Sequence, residues 1–591
     1  MGGTNAGLRI CRGLVVGLSL SYSAAQAQQA NSGAPLRAIE DGLRREAERL
    51  RQADRLPEAS ALRPPESPAA TAPDTVETPC FPIRTAELTG PDAANFAWVL
   101  TQGDLDHRSC LGVEGIRRLV SSLDQHLLSR GFATSKISLP EQNLASGHLL
   151  LRLHAGRIDT LEMRAAARGE GTDPAVLLRG RNAFPIAPGK LLNIRDVEQG
   201  VEQARRLPST TVAVRLEPGG PPDTSQVVVE GNVPTLAERL RGGITVDNSG
   251  TAVLGRTQLA GNLALDNPLG LSDLVGISVN SNGEQLSSAH RSQSAAAYYS
   301  IPWGYDTFTV SGSQSRFAQY VQGTTARFLS SGTSATAEAR WHHVAWRSAS
   351  AKVGVQAAVS MRHARSYLDD TEVLVQRRRT TAFELGLTYK QLWAQSVFDG
   401  ELALRRGVGW GKAQEDLVGA REGGPTLRPR VATFAASLAT SFAAPSIPGP
   451  TTASGGPRNL QHTLAVRGQY SPDTTLSIDQ IAIGGRGTVR GFTGDTVLLA
   501  EKGFYIRNEL SGALPALWSA SLEWFGAIDF GRVAGPSAAL LPGRRLTGAA
   551  VGARGRARFL VFELALGVPV RRPAGFRGRS LVPTFSLSYL F

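Results

Sequence analysis

At 591 residues, with 63 Lys+Arg against 50 Asp+Glu and a formal net charge of +13, the chain is basic and longer than one folding unit. Hydrophobic residues at 42% and 64 glycines without a collagen period exclude a disordered or fibrous polymer. The cations are scattered, with no basic run interleaved with aromatics, so nucleic acid is not expected as a partner; the excess suits anionic lipid headgroups or a pore lumen.

Arg9 and Arg12, the apolar stretch Leu14 to Leu20 and Ala25-Gln-Ala27 predict a secretory signal over residues 1–27. Cys11 leaves with it, so Cys80 and Cys110 remain as a pair in an oxidising compartment and are expected as a disulfide. Two cysteines thirty apart without clustered His make a poor zinc site. No later run reaches about eighteen apolar residues, so a membrane crossing by the mature chain has to use strands.

Leu36, Ile39, Leu43, Ala47 and Leu50 recur at helical spacing among Glu and Arg, predicting an amphipathic helix over 34–52. Residues 53–79, with prolines from Pro57 to Pro79, read as an extended linker. A small α/β domain is expected over 80–157. Its elements are a strand from Phe81 to Leu88, a helix from Ala93 to Leu100, a second helix through Val113, Ile116, Val120, Leu123 and Leu127 ended by Gly131, and strands from Phe132 to Leu139 and His148 to Leu153. Residues 158–232 repeat the scheme: a strand from Ile158 to Met163, a helix near Ala175, a longer helix capped by Asn193 with Asp196 three residues on, and strands at Thr211 to Leu216 and Gln226 to Glu230.

From 238 to 591 the texture changes. Phe383, Leu385, Leu387 and Tyr389 alternate with Glu384, Gly386, Thr388 and Lys390; Leu560, Phe562, Leu564, Leu566 and Val568 alternate with Val561, Glu563, Ala565 and Gly567. The last strand runs to Phe591 with Phe585, Leu587 and Tyr589 at every second position. In hydrocarbon an open sheet edge would leave a row of backbone groups unpaired, so such a sheet has to close into a barrel. His342 and His343, between Trp341 and Trp346, read as wall rather than ligand. No nucleophile with a neighbouring base and no metal cluster appears, so neither enzymatic activity nor a cofactor is expected.

Several segments resemble the two-partner secretion transporters, the haemolysin secretion/activation family. Cys80-Phe-Pro-Ile83, Cys110-Leu-Gly112, Gly131-Phe-Ala-Thr-Ser135 and Leu139-Pro-Glu-Gln142 resemble that family's first polypeptide-transport-associated (POTRA) domain. Val246 to Gly250 and Asp266 to Asp273 are similar to its opening barrel hairpin. Gly484-Gly485-Arg-Gly-Thr-Val489-Arg490-Gly491-Phe492 resembles the family's loop whose tip folds back into the barrel, and Asp529-Phe-Gly531 the strand motif whose Asp meets that Arg. The glycines permit tight turns close to a wall, and a guanidinium offers a bidentate fork to one carboxylate, here expected to be only partly desolvated in a wet lumen. The stretch is no nucleotide loop: Gly485, Gly487 and Gly491 lack the required spacing. Phe492 stands where Tyr is also common, and Phe525-Gly-Ala-Ile528 shifts the strand motif's aromatic out of register.

The resemblance implies a membrane β-barrel of about 16 antiparallel strands behind two small α/β POTRA domains and an N-terminal amphipathic helix that plugs the resting pore. It also implies a secreted partner protein bound through the POTRA domains, contact with outer-membrane lipid, and a C-terminal strand (Phe585, Leu587, Tyr589, Phe591) read by the barrel-assembly machinery. A general barrel-assembly factor and a passive porin are the rival expectations.

Overall fold

The computed structural model describes residues 77–102, 110–165, 180–284, 290–322, 326–443, 459–517 and 519–591. The expected signal over 1–27, the plug-like helix over 34–52, nearly all of the linker over 53–79 and the helix near Ala175 lie outside the described residues.

The first small domain is a three-stranded sheet of order β1 (Thr85–Thr89), β3 (His148–His154) and β2 (Lys136–Ser138), covered by α1 (Trp98–Gln102) and α2 (Val113–Ser129). The apolar stripe of α2, Ile116, Leu119, Leu123 and Leu127, packs on Leu149 and Leu151 from the alternating inner face of β3. Gly131, at φ 97°, takes the left-handed turn that stops α2. Strands are shorter than the alternation suggests. Residues 132–135 turn instead of pairing, because Ser135 N donates to Phe132 O, and the strand expected from Phe81 pairs regularly only from Thr85. The helix expected over Ala93 to Leu100 splits into a 3-10 turn over Ala93–Phe96 followed by α1.

Cys80 and Cys110 are bonded, with their Cα atoms 5.5 Å apart, and the neighbouring Phe81 and Leu111 exchange main-chain hydrogen bonds. The closed loop is 30 residues long, for which chain-entropy reasoning gives roughly 3.6 kcal/mol. Replacing both cysteines by Ser should therefore lower the urea midpoint of this domain in the intact protein. Equal protease resistance of wild type and variant across the urea series would contradict that expectation.

The second domain has sheet order β4 (Arg157–Ala165), β6 (Thr224–Gly231) and β5 (Val212–Pro218), with α3 (Ile194–Arg205) packed through Val197 and Ala204 onto Ile158, Val227 and Val229. Asn193 caps α3 by accepting from Arg195 N at 2.9 Å. The two domains are joined firmly: Arg157 Nη2 donates to both carboxylate oxygens of Asp92, at 2.9 and 2.8 Å, and Ile194 N donates to Gly131 O at 2.8 Å.

A single turn, α4 (Leu236–Arg239), fixed by a capping box between Thr235 and Glu238, delivers the chain to β7 (Leu240–Asp247). The wall continues through β8 (Gln258–Asp266), β9 (Leu274–Asn282), β10 (Arg291–Trp303), β11 (Asp306–Gln322), β12 (Arg327–Arg347) and β13 (Ala351–Leu368). The two-residue β14 (Thr371–Glu372) tops β13, and β15 (Arg378–Leu392), β16 (Ser396–Val408), β17 (Arg430–Ala443) and β18 (Asn459–Tyr470) follow. The next connection carries a small hairpin, β19 (Ile481–Ile483) with β20 (Leu498–Ala500). Then β21 (Lys502–Leu517), β22 (Ala520–Ala534), β23 (Arg545–Ala557), β24 (Leu560–Arg571) and β25 (Val582–Leu590) complete the wall.

Apart from β14, these are 16 antiparallel strands, and β25 returns to pair with β7, leaving no open edge. Phe591 N and O exchange bonds with Gly242 at 3.0 Å, so the final residue closes the seam. The greasy face expected from the alternation looks outward: Leu385, Leu387, Leu564, Leu566, Leu587 and Tyr589 are all exposed on the cylinder's exterior. His342 and His343 lie in the wall of β12, where His343 Nδ1 sits 2.8 Å from Asp306 Oδ1.

Candidate functional site: a loop tip seated on the inner wall

Residues 471–501, between β18 and β21, fold into the barrel instead of standing above it. The hairpin β19–β20 supplies Ile481, Ile483, Leu498 and Ala500, which pack with Val489 and Phe492 against Val533, Leu546 and Phe576 of the wall and rim. Phe492 meets Phe576 edge to face with ring centroids 5.5 Å apart, an arrangement that uses the ring and needs no hydroxyl. This apolar cluster is one of the contacts that hold the loop down.

At its tip, Arg490 forks onto Asp529 of β22: Nε donates to Oδ2 and Nη2 to Oδ1, both at 2.7 Å. Its main-chain N adds a third bond to Oδ2 at 2.9 Å, and its Nη1 donates to Glu509 of β21. Glu509 in turn accepts from Arg554 Nη1 at 2.8 Å, and Arg554 Nε donates to Glu523 at 2.7 Å. The result is one chain of charges, Asp529, Arg490, Glu509, Arg554 and Glu523, across β22, the loop, β21 and β23.

Sequence reasoning expects this pair to be half wet. The structure differs: Asp529 is 0% and Arg490 8% exposed, because the apolar cluster of Val489, Phe492 and Ile483 roofs the pair. Such a buried ion pair stabilises only while both partners and their extra hydrogen bonds stay in place. The aromatic displaced from the strand motif does not prevent the contact. Asp529 faces inward opposite Arg507 and Gly548, whatever Phe525 does four residues away.

The wall is carved to receive the tip. A Cβ on Gly548 would stand 1.8 Å from Arg490 O, one on Gly491 2.3 Å from Val568 O, and one on Gly567 2.8 Å from Gly491 N. A Cβ on Gly531 would press on Ile483 and Val489 at 3.0 Å. Gly484 and Gly491, at φ 114° and 93°, also take backbone conformations that other residues avoid. Gly485 N and Gly484 N both reach Thr488 Oγ1, at 3.2 and 3.1 Å, tightening the turn before the tip. Two ties anchor the flanks: Arg486 Nη2 donates to Glu563 at 3.0 Å, and Arg256 Nη2 to Asp495 at 2.9 Å.

Gly548, Gly567, Glu509, Arg554 and Glu523 are the site residues that the motifs do not mark. The available signal was charge at inward positions of neighbouring strands, with Gly548 of β23 opposite Pro569 and Gly567 of β24 opposite Ala550.

The second feature of functional weight is the joint between the second small domain and the barrel. One face of α3 docks on the turns at one mouth of the barrel. Gln203 Nε2 donates to Gly304 O at 3.1 Å, Arg347 Nη1 to Glu202 at 2.6 Å, Lys352 Nζ also reaches Glu202, and Tyr305 OH donates to Asp196. Asn182 Nδ2 donates to Leu271 O at 2.9 Å and Pro302 O at 2.6 Å. Asp266, from the segment resembling the opening hairpin, ties both parts: it accepts from Arg241 at 2.8 Å and from Ser209 N at 3.0 Å. Thus Asp196 serves the barrel rather than the helix cap, and burial raises its carboxyl pKa despite the Tyr305 hydroxyl.

Burial alone would raise Glu202 as well, but Lys352 and Arg347 overcome it and hold the carboxyl at about 2. Its folded pKa is depressed, so the contribution is complete above the ordinary glutamate value of about 4.3 and lost as pH falls through the folded value. Glu202→Ala takes the carboxylate away from Lys352 and leaves Arg347 only the longer ion pair to Glu198, at 3.6 Å. It should increase hydrogen exchange in α3 and the 304–306 turn at pH 7, an increase that shrinks toward pH 2; unchanged exchange at pH 7 would contradict the joint's electrostatic basis.

Comparison with known proteins agrees with this geometry. Residues 223–555 match the family described as haemolysin secretion/activation protein ShlB/FhaC/HecB, residues 81–156 a ShlB-type POTRA domain, and residues 158–218 a POTRA domain. The outer membrane transporter CdiB-2 of Burkholderia pseudomallei is 34% identical over 537 residues, 87% of each chain. The hemolysin transporter protein ShlB of Serratia marcescens is 26% identical over 509 residues, covering 86% of this chain and 85% of its own. The solved structure of CdiB from Escherichia coli superposes with a TM-score of 0.77 at 27% identity, over 95% of this chain and 99% of that one. The chain therefore belongs to the haemolysin secretion/activation family of outer-membrane transporters, with its barrel in the outer membrane and its two POTRA domains in the periplasm.

Proposed function

We propose that this chain is the outer-membrane pore of a two-partner secretion system, which recognises one large exoprotein in the periplasm and passes it to the cell surface without ATP, cofactor or catalysis of its own. The observation that carries the reading is the coupling of two POTRA domains to a sealed barrel whose lumen holds a glycine-seated loop tip. A passive solute porin would have no use for either feature. A general assembly factor remains the rival, and membership of a transporter family favours secretion over it.

In this reading an unfolded partner adds as a strand to an exposed sheet edge of the POTRA domains, such as β2 or β5, and is handed to the pore. The helix over 34–52 plugs the resting barrel, the linker lets it leave, and folding of the partner outside makes the passage one-way. Deleting residues 28–60 should raise single-channel conductance in planar bilayers; unchanged conductance would remove the plug. The function itself is tested by co-expressing the chain with a large signal-bearing protein, sought in the neighbouring reading frame. Export of that protein only when the pore is present supports the proposal, and export without it ends the proposal.

A further inference from the structure

We infer that the outer wall of the barrel carries a binding site for a bis-phosphorylated, multi-acyl glycolipid of the outer leaflet, built on Lys502, Arg532 and Arg545. It concerns the lipid-facing side of the strands whose inner side seats the loop tip.

In β22, Asp529, Gly531 and Val533 are buried and point inward, so Ile528, Phe530 and Arg532 point outward. The register sets Arg532 directly opposite Arg545 of β23 and beside Phe504 of β21, forming one outward row. Cα atoms of directly opposed residues are about 5 Å apart in an antiparallel ladder, and like charges there repel. Both arginines are exposed, and among the described residues no carboxylate pairs with either. One row nearer the strand ends stands Lys502, opposite Ala534, with Nζ 4.6 Å from the Tyr470 ring centroid. One row toward the middle lie Ile506, Phe530 and Thr547, and the Phe504 and Phe530 rings are 5.9 Å apart. Next to these the exposed Ile528 begins the apolar band.

Cations above an aromatic pair above an apolar wall is the profile of a membrane interface. The POTRA contacts mark the opposite ends of the strands as periplasmic, so these ends lie at the outer leaflet. Charge identifies the occupant. Three cations without a counter-charge match two phosphomonoesters, each carrying about −1.5 to −2 near neutral pH. A phosphodiester phospholipid supplies a single negative charge and leaves the arginine pair uncompensated. Guanidiniums are suited to phosphate by their fork of donors. A repulsive pair kept in the wall breaks the ordinary cross-strand preference, and such breaks concentrate at functional positions. Arg532 lies three residues from Asp529 and Arg545 three from Gly548, so bound glycolipid braces the wall behind the loop tip.

The test uses the purified full-length mature protein in detergent, supplied in turn with bis-phosphorylated lipid A, monophosphoryl lipid A and phosphatidylglycerol. Native mass spectrometry reads lipid retained, and gel heat-modifiability reads the barrel's unfolding midpoint. Wild type should retain bis-phosphorylated lipid A at least about ten-fold over phosphatidylglycerol, with the monophosphoryl form between them, and its midpoint should rise with the first. R532Q/R545Q should lose that preference and the rise, while its lipid-free midpoint equals or exceeds that of wild type because the repulsion is gone. K502Q, which keeps the pair, should lose retention several-fold. Equal retention by wild type and R532Q/R545Q, equal retention of the three lipids, or a lipid-free midpoint lowered by R532Q/R545Q would each overturn the site.

Discussion

Arg490→Ala should leave the barrel inserted and heat-modifiable yet cut partner export at least about ten-fold, since removing one member of a buried, hydrogen-bonded ion pair costs about 3–5 kcal/mol. The substitution strands Asp529, which is fully buried, with only main-chain donors at Arg490 N and Asn508 N. It also leaves Glu509 to Arg554 alone. The loop then loses its side-chain anchors at the tip, keeping the main-chain bond to Asp529, while the apolar cluster of Ile483, Val489 and Phe492 survives, so displacement of the tip is expected rather than unfolding. Arg490→Lys should not restore export, because an ammonium cannot reproduce the two parallel bonds to Asp529 and the third to Glu509. Full export by Arg490→Ala, measured against surface-exposed barrel at equal abundance, would remove the loop tip from the mechanism.

Gly548→Ala is expected to act almost as strongly through a different cause. In an ordinary strand, replacing glycine by alanine is mild or helpful, because it reduces the freedom of the unfolded chain. Here the added methyl would stand 1.8 Å from Arg490 O, a main-chain atom with nowhere to go while Arg490 N is bonded to Asp529. The tip has to lift, so tryptic cleavage at Arg486 or Arg490 should rise several-fold and export fall with it. Gly526 of β22 provides the internal comparison: nothing lies within 4 Å of its added Cβ, and Gly526→Ala should be silent in both assays. If the two alanines behave alike, the seat carved in the wall is not what holds the loop.

The barrel was legible because its strands obey a period of two over long stretches, with Leu385, Leu387, Leu564 and Leu566 exposed as the alternation requires. The α/β domains were legible in element type from helix stripes such as Ile116, Leu119, Leu123 and Leu127, but less so in extent. Short strands like Lys136–Ser138 end where a turn hydrogen bond outcompetes pairing, and periodicity does not register that competition. Within the site, Arg490 and Asp529 were visible only through a family motif; nothing in their local sequence requires them to meet 39 residues apart. Their burial was not visible at all. It depends on Phe576 and Leu546, contributed by distant parts of the chain, folding over the loop. Glu509, Glu523 and Arg554 look like ordinary lumen charges in a list of residues and become a relay only when register aligns β21, β22 and β23.

The docking of α3 has a geometric corollary. Its bonds, together with those of Asn182 and Ser209, fall on the termini and turns of β8 through β13, from Asp266 to Lys352, so the POTRA arm is pinned to one arc of the barrel's periplasmic mouth. The doorway is thereby eccentric: in the proposed reading a polypeptide handed on by the arm arrives off-axis, on the side away from the half-circle formed by β16 to β25. That half includes the strands in which Asp529, Glu509 and Arg554 line up, so the arm and the loop tip belong to opposite arcs of the wall.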